Sequence, residues 1–218
     1  RENINVVSVG LAISQDDYVN VENIRRILDQ LPFAFSEDKN GNNIRWRCGH
    51  SILYHWLQGN VGFGSANKRV PNIVFDLPIQ KKQLFLNTLW QGDGHSEYKE
   101  HYRGFLTTTS KGLADDVLRL ILEIGEWGSI SVSYEAGEKT SQKVRTNLTC
   151  YVVHRNVIDK RSLSKKKNVG IERYQGNVYC FRVPTGFYVT RRNGKPLIAG
   201  NTAMEVPVLK AFNRYQAF

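Results

Sequence analysis

Apolar residues recur at helical spacing in two widely separated parts of the chain. In residues 19–31 they are Val21, Ile24, Ile27, Leu28 and Leu31. In residues 112–124 they are Leu113, Val117, Leu120, Ile121 and Ile124. Positions that recur every three or four residues fall on one face of an α-helix, which can then pack against a core. We therefore predict one amphipathic helix in each of these two parts.

Strand-like runs surround both predicted helices in the same order. A strand comes first, in residues 6–15 and again in residues 104–110, and a hairpin follows each helix. The hairpin strands are residues 33–36 and 44–48 in the first copy, and residues 129–135 and 146–154 in the second. The turn-rich residues 38–41 join the first pair. A unit of strand, helix and hairpin thus occurs twice, which indicates internal pseudo-symmetry.

A helix with an acidic end lies between the two copies. A loop rich in glycine and asparagine, residues 59–67, precedes it. The helix, residues 80–94, ends with Asp93 between Gly92 and Gly94. Small residues at a helix end allow a second helix to approach closely, and an aspartate at that seam could share a divalent cation with an equivalent acid. The ordinary alternative is a helix that stops at a glycine and exposes its last aspartate to solvent.

Residues 86–94 resemble the conserved dodecapeptide of the LAGLIDADG homing endonucleases. The upstream run of residues 68–71, Lys-Arg-Val-Pro, and the strand and helix downstream are also similar to this family, over roughly residues 4–154. The resemblance implies an α+β fold built from αββαββα repeats, and Mg²⁺-dependent cleavage of double-stranded DNA at a specific site. It also implies that Asp93 is a catalytic, metal-binding acid, with Gly92 beside it in the metal site.

The LAGLIDADG family uses two such acidic helices at a pseudo-twofold axis. Ser110 lies 16 residues after Gly94, and its counterpart in the first copy is Ser14. The same spacing puts the first acidic helix just before Arg1. We therefore expect the chain to lack this first helix, and we expect specific DNA cleavage to need it restored. The small residues expected to contact that helix are Thr88, Gly92 and Gly94.

The balance of charges favours a nucleic-acid partner. The formal net charge is +10, and neutralising phosphates supplies affinity that does not depend on base sequence. The LAGLIDADG resemblance implies that the two hairpins form a saddle of strands in the major groove, where base edges are distinguishable. The basic residues on these hairpins, which we expect to contact DNA, are Arg45, Arg47, Lys139, Lys143 and Arg145. The alternative for each of them is an ordinary solvated strand face.

The last part of the chain changes in character. A basic stretch, residues 155–167, is interpreted as a linker. Residues 173–201 are rich in Tyr, Phe, Val and Gly and predict short strands with tight turns, with Asn193-Gly194 as the strongest hairpin signal. Residues 176–189 and 191–202 resemble the last two conserved blocks of inteins. That resemblance implies the C-terminal strands of the all-β Hint fold, the fold of intein splicing domains.

The intein resemblance implies autocatalytic peptide chemistry at the end of this region. The side-chain amide of Asn201 attacks its own carbonyl to form a succinimide, which releases the chain that begins with Thr202. The hydroxyl of Thr202 receives the transferred N-terminal segment as an ester. Gly200 stands where a histidine is usual, which removes a proton donor and predicts slow cleavage. Cys180 stands where an aspartate is usual, and it keeps a titratable group there.

The two resemblances divide the chain into four parts. They are an endonuclease region without its first motif at residues 1–158, a linker at residues 159–172, a splicing region at residues 173–201, and the start of the C-extein at residues 202–218. Arg1 cannot be the Cys or Ser with which an intein begins. We therefore expect a C-terminal fragment that works with an N-terminal intein segment, in cis or in trans, inside a host extein protein.

Two other functions stay open at this point. The chain could be a non-catalytic DNA-binding remnant of a decayed homing endonuclease. It could also be a Hedgehog-like autoprocessing domain, which shares the splicing fold but would lack the Asn201-Thr202 pair. Release of the peptide that begins at Thr202 would distinguish the intein from both alternatives.

Cysteine usage and hydropathy address the cellular setting. Cys48, Cys150 and Cys180 are odd in number and widely spaced, so they predict neither a disulfide framework nor a zinc knuckle. No apolar run approaches the roughly 18 residues that cross a bilayer, and the first residues lack a signal-peptide pattern. We therefore expect an intracellular, cytoplasmic protein of prokaryotic or phage origin.

Overall fold

The computed structural model describes most of the chain in two compact units. The described residues are 18–41, 43–96, 104–139, 147–156, 173–177, 179 and 181–200. The first unit lies within residues 1–62 and the second within residues 63–218. The strand predicted at residues 6–15 lies outside the described residues. Within them, no helix is long and apolar enough to span a bilayer.

The first unit combines two helices with one hairpin. Its elements are α1 (Tyr18–Leu28), β1 (Ser36–Asn40), β2 (Asn43–Arg47) and α2 (Ser51–Val61). The small core consists of the buried side chains Val21, Leu28, Ile44 and Trp46. Helix α1 confirms the first predicted helix, although it ends before Leu31, and Ile27 is 54% exposed. The hairpin itself is confirmed, but its first strand is shifted along the chain. Strand β1 overlaps the strand predicted at residues 33–36 only at Ser36, because residues 38–40, which were predicted as part of the turn, continue β1. The turn begins at Gly41, which has a φ of +63°.

Helix α2 was not expected from the sequence, which predicts a loop from residue 59. No residue of this helix is buried, and apolar and polar positions do not separate onto two faces in Ser51–Val61. Helical periodicity therefore gives no signal here. The helix ends where Gly62 adopts a φ of +85°, which L side chains rarely reach.

The second unit is built on an antiparallel four-stranded sheet. Its strands are β3 (Gly94–Ser96), β4 (Gly104–Thr108), β5 (Trp127–Tyr134) and β6 (Cys150–Asn156), in the spatial order β3-β4-β6-β5. Helices α3 (Ile79–Asp93) and α4 (Lys111–Glu123) pack against this sheet through one core. The mixed helix and sheet architecture agrees with the predicted α+β class. Strand β3, which continues directly from α3, was not predicted.

Helix α4 confirms the second predicted helix almost residue for residue. Four of its five predicted face residues are buried, and Ile124 packs against the same core. Ser110 caps the helix, because its side-chain oxygen accepts a hydrogen bond from the Leu113 amide at 3.1 Å. The Ser110 hydroxyl also donates to the carbonyl of Lys68 at 2.6 Å. This cap therefore fixes both the start of α4 and the segment that leads to α3.

A buried aspartate holds the segment before α3 against α4. The Arg69 guanidinium binds both carboxylate oxygens of Asp116, at 2.6 and 2.8 Å, and the Val70 amide donates to the same carboxylate at 3.1 Å. These contacts raise the pKa of Arg69, chiefly through its hydrogen bonds to Asp116. A Cβ added at Gly112 would lie 2.5 Å from Cδ of Arg69, so a larger residue there would displace the arginine. The basic run at residues 68–71 therefore serves the fold.

The end of strand β6 differs from the sequence interpretation. Arg155 and Asn156 were taken as the beginning of a basic linker, but both lie in β6. Arg155 is 1% exposed and pairs in register with Gly104 and Gly128. Charge alone suggested a solvated linker here, whereas a buried acceptor, Glu126, binds this arginine within the fold.

The last described element is a tight two-stranded hairpin. Strands β7 (Phe187–Arg192) and β8 (Lys195–Gly200) pair antiparallel, with Arg192 opposite Lys195. Asn193 and Gly194 have φ values of +49° and +73°, which is the conformation that a two-residue type I′ turn requires. The predicted Asn-Gly turn is therefore confirmed.

Candidate functional site

The side chain of Asp93 lies at the exposed end of α3. Leu86 and Trp90 face the core, with 0% and 1% exposure, whereas Thr88, Gly92 and Asp93 are exposed. The described part of the chain offers no hydrogen bond or ion pair to the Asp93 carboxylate. This carboxylate is therefore available to a cation or to a group from outside the described residues.

The two glycines beside Asp93 are small for different reasons. A Cβ added at Gly92 would meet nothing within 4 Å, so this position leaves open space at the surface of α3. A Cβ added at Gly94 would lie 2.6 Å from the carbonyl oxygen of Trp90 and 2.7 Å from its ring. Gly94 is therefore needed for the turn of the chain over Trp90. Gly92, together with Thr88, remains the candidate for close approach of another helix.

The buried guanidinium of Arg155 connects α3 to the sheet beneath Trp90. The Arg155 guanidinium binds the two carboxylate oxygens of Glu126 at 2.5 and 2.8 Å and donates to the side-chain oxygen of Asn87 at 2.9 Å. It also lies 5.5 Å from the centre of the Trp90 ring. On the outer side, the Lys82 ammonium binds Glu123 of α4 at 2.7 Å. These contacts hold the helix that carries Asp93 at both of its ends.

The face of the sheet opposite the core carries mainly histidine, serine and threonine side chains, together with Phe105 and Val152. The register places His95, Phe105, His154 and Ser129 in one row across all four strands. A second row contains Thr107, Val152 and Ser131. The side chains of His95, Thr107 and Ser131 are exposed, and those of Ser129 and His154 are half-buried. Hydroxyl and imidazole groups both donate and accept hydrogen bonds, so this polar face can contact base edges.

The side chain of His154 on this face lies next to a serine hydroxyl and is partly buried. Its Nε2 atom lies 3.0 Å from the hydroxyl oxygen of Ser131, within hydrogen-bonding distance. Partial burial lowers the pKa of His154, because desolvation disfavours the charged imidazolium. The neutral ring, with one donor and one acceptor, is therefore the favoured form near neutral pH.

The hairpin of the first unit presents two arginines on one side. Arg45 and Arg47 are exposed and alternate with the buried residues Ile44 and Trp46. Arg47 lies 3.6 Å from the carboxylate of Asp38 on the facing strand, with both side chains more than half exposed. Arg45 has no such partner within the described residues. The structure therefore places both predicted DNA contacts on an accessible strand face.

Residues 80–167 match a protein family described as the LAGLIDADG-like domain. This segment, which we call the LAGLIDADG-like segment, is similar to that family. It contains most of α3, with Asp93 at the end, and continues through the four strands and α4. The matched segment thus includes the proposed metal-binding acid and the polar sheet face.

Three solved structures of the homing endonuclease I-DmoI are also similar to this chain. Mesophilic variants share 14% identity and a TM-score of 0.45, over 68% of this chain and 73% of that one. The complex with DNA and Ca shares 14% identity and a TM-score of 0.42, over 66% and 63%. The complex with DNA and Mn shares 13% identity and a TM-score of 0.48, over 75% and 88%.

Several predicted site residues fall at or beyond the edge of the described chain. Lys139 is exposed and follows β5 in the chain, whereas Lys143 and Arg145 lie outside the described residues. Cys180, Asn201 and Thr202 also lie outside them. Gly200 is the last residue of β8, where it is exposed and pairs with Phe187.

The polar rows of the LAGLIDADG-like sheet were missed at the sequence level. In β4 the buried residues Leu106 and Thr108 alternate with Phe105 and Thr107, which is the signal of a strand with one solvated face. The residues of these rows are histidine, serine, threonine, phenylalanine and valine, so the distribution of lysine and arginine in the sequence does not reveal them. The row from His95 to Ser129 depends on the pairing of strands that are distant in the chain, and this pairing cannot be predicted from a single sequence.

Proposed function

We propose that this chain is a DNA-binding, metal-dependent nuclease of the homing-endonuclease type that is fused to a splicing region. The observation that carries the nuclease proposal is the carboxylate of Asp93, which has no partner among the described residues and lies at the end of a LAGLIDADG-like helix, directly before the edge strand β3. The net charge of +10 supports a polyanionic substrate. Double-stranded DNA is the proposed partner.

DNA binding would divide between two kinds of contact. Arg45 and Arg47 on the first hairpin, and Lys139 on the second, are exposed cations that suit phosphate oxygens. His95, His154 and the exposed hydroxyls of the sheet suit base edges, because each of them can donate and accept. This division places sequence-independent affinity on the arginines and lysines, and specificity on the sheet face.

The donor type at Asp93 suits a hard cation such as Mg²⁺, which prefers oxygen ligands. The described residues include no group of three or more His, Cys, Asp or Glu side chains that could enclose a metal. Asp93 would therefore supply one ligand, with the Gly92 backbone beside it, and the others would come from DNA phosphate, water and a second acid. A divalent cation held there would supply charge stabilisation to the attacking and leaving oxygens of phosphate hydrolysis.

The C-terminal hairpin supports the proposal of a splicing region. The type I′ turn at Asn193-Gly194 and the pairing of β7 with β8 bring the chain to Gly200, directly before Asn201. We propose that Asn201 cyclises to release the chain at Thr202, and that Cys180 assists as an acid or base. An N-terminal intein segment and a host extein are the partners that this chemistry needs.

A charge-insertion experiment tests the DNA-binding face. Ser131→Glu places a carboxylate on the polar sheet face, where it would repel phosphates, whereas Ser65→Glu adds the same charge on the exposed segment between α2 and α3. Binding is measured with a randomised duplex library at low salt. We expect Ser131→Glu to weaken binding about tenfold or more and Ser65→Glu to change it much less. Equal losses in both variants would contradict the assignment of the sheet face.

A further inference from the structure

The β7–β8 hairpin contacts the edge of the LAGLIDADG-like sheet that β5 forms among the described strands. Strand β5 is an edge strand of this sheet, so those of its backbone N–H groups that point away from β6 have no partner within the sheet. The Ile130 amide donates a 2.7 Å hydrogen bond to the carbonyl of Gly194, at the tip of the hairpin. An exposed edge amide is thereby satisfied by a residue more than sixty positions later in the chain.

The turn at Gly194 fits this edge closely. A Cβ added at Gly194 would collide with the carbonyl oxygen of Ile130 and lie 2.8 Å from the Cβ of Ile130. Pro196, two residues later in β8, is buried. Glycine is therefore required at position 194 both by its φ of +73° and by its contact with β5.

An ion pair provides a second, independent attachment on helix α4. The Arg191 guanidinium lies 2.7 Å from the carboxylate of Asp115, with the two side chains 34% and 30% exposed. Asp115 also binds Lys111, one turn earlier in α4, at 2.5 Å. Leu118 and Leu122 of α4 line a cleft together with Val189 of β7, so apolar surface accompanies the ion pair.

These attachments lie at the edge of the sheet and on α4, and not on the polar face of the sheet. Helix α4 packs on the core side, against Ile130 and Val153, whereas His154 and Ser131 point to the other side. The hairpin reaches α4 and the sheet edge, which is the side away from the proposed DNA contacts.

We propose that the edge of β5 and Asp115 form a docking surface that holds the C-terminal hairpin and the LAGLIDADG-like segment together as one body. Its consequence for peptide cleavage rests on the proposed splicing function. Because β8 runs directly from the docked turn to Gly200, Asp115 is then a positioning residue for the junction at Asn201. DNA binding and docking use different sides of the sheet and do not compete.

Hydrogen exchange at the Ile130 amide in the full 218-residue chain tests the docking directly. Three variants are compared with wild type: Asp115→Asn, Arg191→Gln and the double variant. We expect each of the three to accelerate exchange by the same factor, about 1.5- to 5-fold, because one exposed ion pair is lost in every case. The matched control is Lys111→Gln, which removes the other partner of Asp115 and leaves Arg191 in place. It should leave the Ile130 rate unchanged.

Two exchange results would overturn the proposal. One is an Ile130 amide that exchanges in wild type as fast as an unprotected amide. The other is a double variant whose effect is the product of the two single effects, because the two side chains would then act independently.

Peptide release from the same proteins separates docking from splicing. We expect the three docking variants to change the rate of release after Asn201 by a common factor, and Lys111→Gln to leave it unchanged. Coupled exchange without any change in release would contradict the positioning role of Asp115. If the wild-type chain releases no peptide, the splicing function fails, and the exchange data alone still decide whether the hairpin docks.

Discussion

The guanidinium of Arg155 binds both carboxylate oxygens of Glu126 while it lies beneath the ring of Trp90. The arginine is 1% exposed and the glutamate side chain 14% exposed, so both charges are largely removed from water. Their mutual attraction and the hydrogen bond to Asn87 offset this desolvation. Arg155, which was interpreted from the sequence as the start of a basic linker, thus holds the helix that ends in Asp93.

Removing Arg155 should destabilise the second unit strongly. Arg155→Met leaves Glu126 buried without its partner, which typically costs about 3–5 kcal/mol. The matched control is Lys111→Met, which breaks an exposed pair one turn apart and should cost less than about 1 kcal/mol. Urea denaturation followed by tryptophan fluorescence measures both changes. A loss below about 1 kcal/mol in Arg155→Met would show that the network does not hold α3.

The affinity for DNA should fall steeply with salt. Each phosphate that is neutralised contributes a slope of about −0.9 in a plot of log K against log salt concentration. Replacing both Arg45 and Arg47 by glutamine should flatten this slope by up to about 1.8. Fluorescence anisotropy with a labelled duplex at several salt concentrations gives the slopes. An unchanged slope in the double variant would mean that these arginines do not contact phosphates.

Burial of His154 should make stability depend on pH. Since its pKa is lowered in the folded protein, the unfolded chain takes up a proton first as the pH falls. The contribution of the neutral His154 ring to the free energy of unfolding is fully present above the unfolded pKa of about 6.5. It is lost as the pH falls from there towards the pKa of the folded protein. His154→Gln should therefore flatten the decline in the free energy of unfolding between pH 7 and 5. The matched substitution His95→Gln, at an exposed position of the same face, provides the comparison, and equal flattening in both would contradict the prediction.

Gly200→His should accelerate peptide release, because it restores a proton donor beside the scissile carbonyl. A Cβ at position 200 would lie 3.4 Å from the ring of Phe187, so the site can accept a side chain with a small adjustment. Asn201→Ala should abolish release, and Asn177→Ala serves as the control. Intact mass spectrometry over time measures the peptide that begins at Thr202. Undiminished release in Asn201→Ala would exclude cyclisation at this residue.

Local sequence signals predicted the helices and turns better than the site. Helix α4 has a complete apolar face and a serine cap, so periodicity and capping agree on its position. The Asn193-Gly194 turn depends only on two residues that tolerate positive φ. Helix α2 lacks a buried face, and for that reason it left no periodic signal.

Long-range contacts explain what the sequence could not provide. Arg155 looked like part of a linker because its partner Glu126 lies 29 residues away and becomes adjacent only in the folded sheet. The polar row from His95 to Ser129 likewise depends on the strand order β3-β4-β6-β5. Asp93 could be selected from its motif, but its exposure and its lack of a partner among the described residues are structural findings.

The role of Asp93 is the central claim, and metal-dependent DNA cleavage tests it most directly. Asp93→Asn removes a metal ligand without touching the basic strands, and Asp76→Asn is the matched change at another exposed aspartate. Both variants are made in the 218-residue chain and in a form to which the predicted first acidic helix has been added. We expect Mg²⁺-dependent cleavage of a selected duplex in the extended form and not in the 218-residue chain. Within the extended form, Asp93→Asn should lose cleavage and Asp76→Asn should keep it. The wild type and the two variants should bind DNA with similar affinity. Binding without cleavage in every form would favour the non-catalytic remnant, and normal cleavage by the extended Asp93→Asn protein would contradict the account.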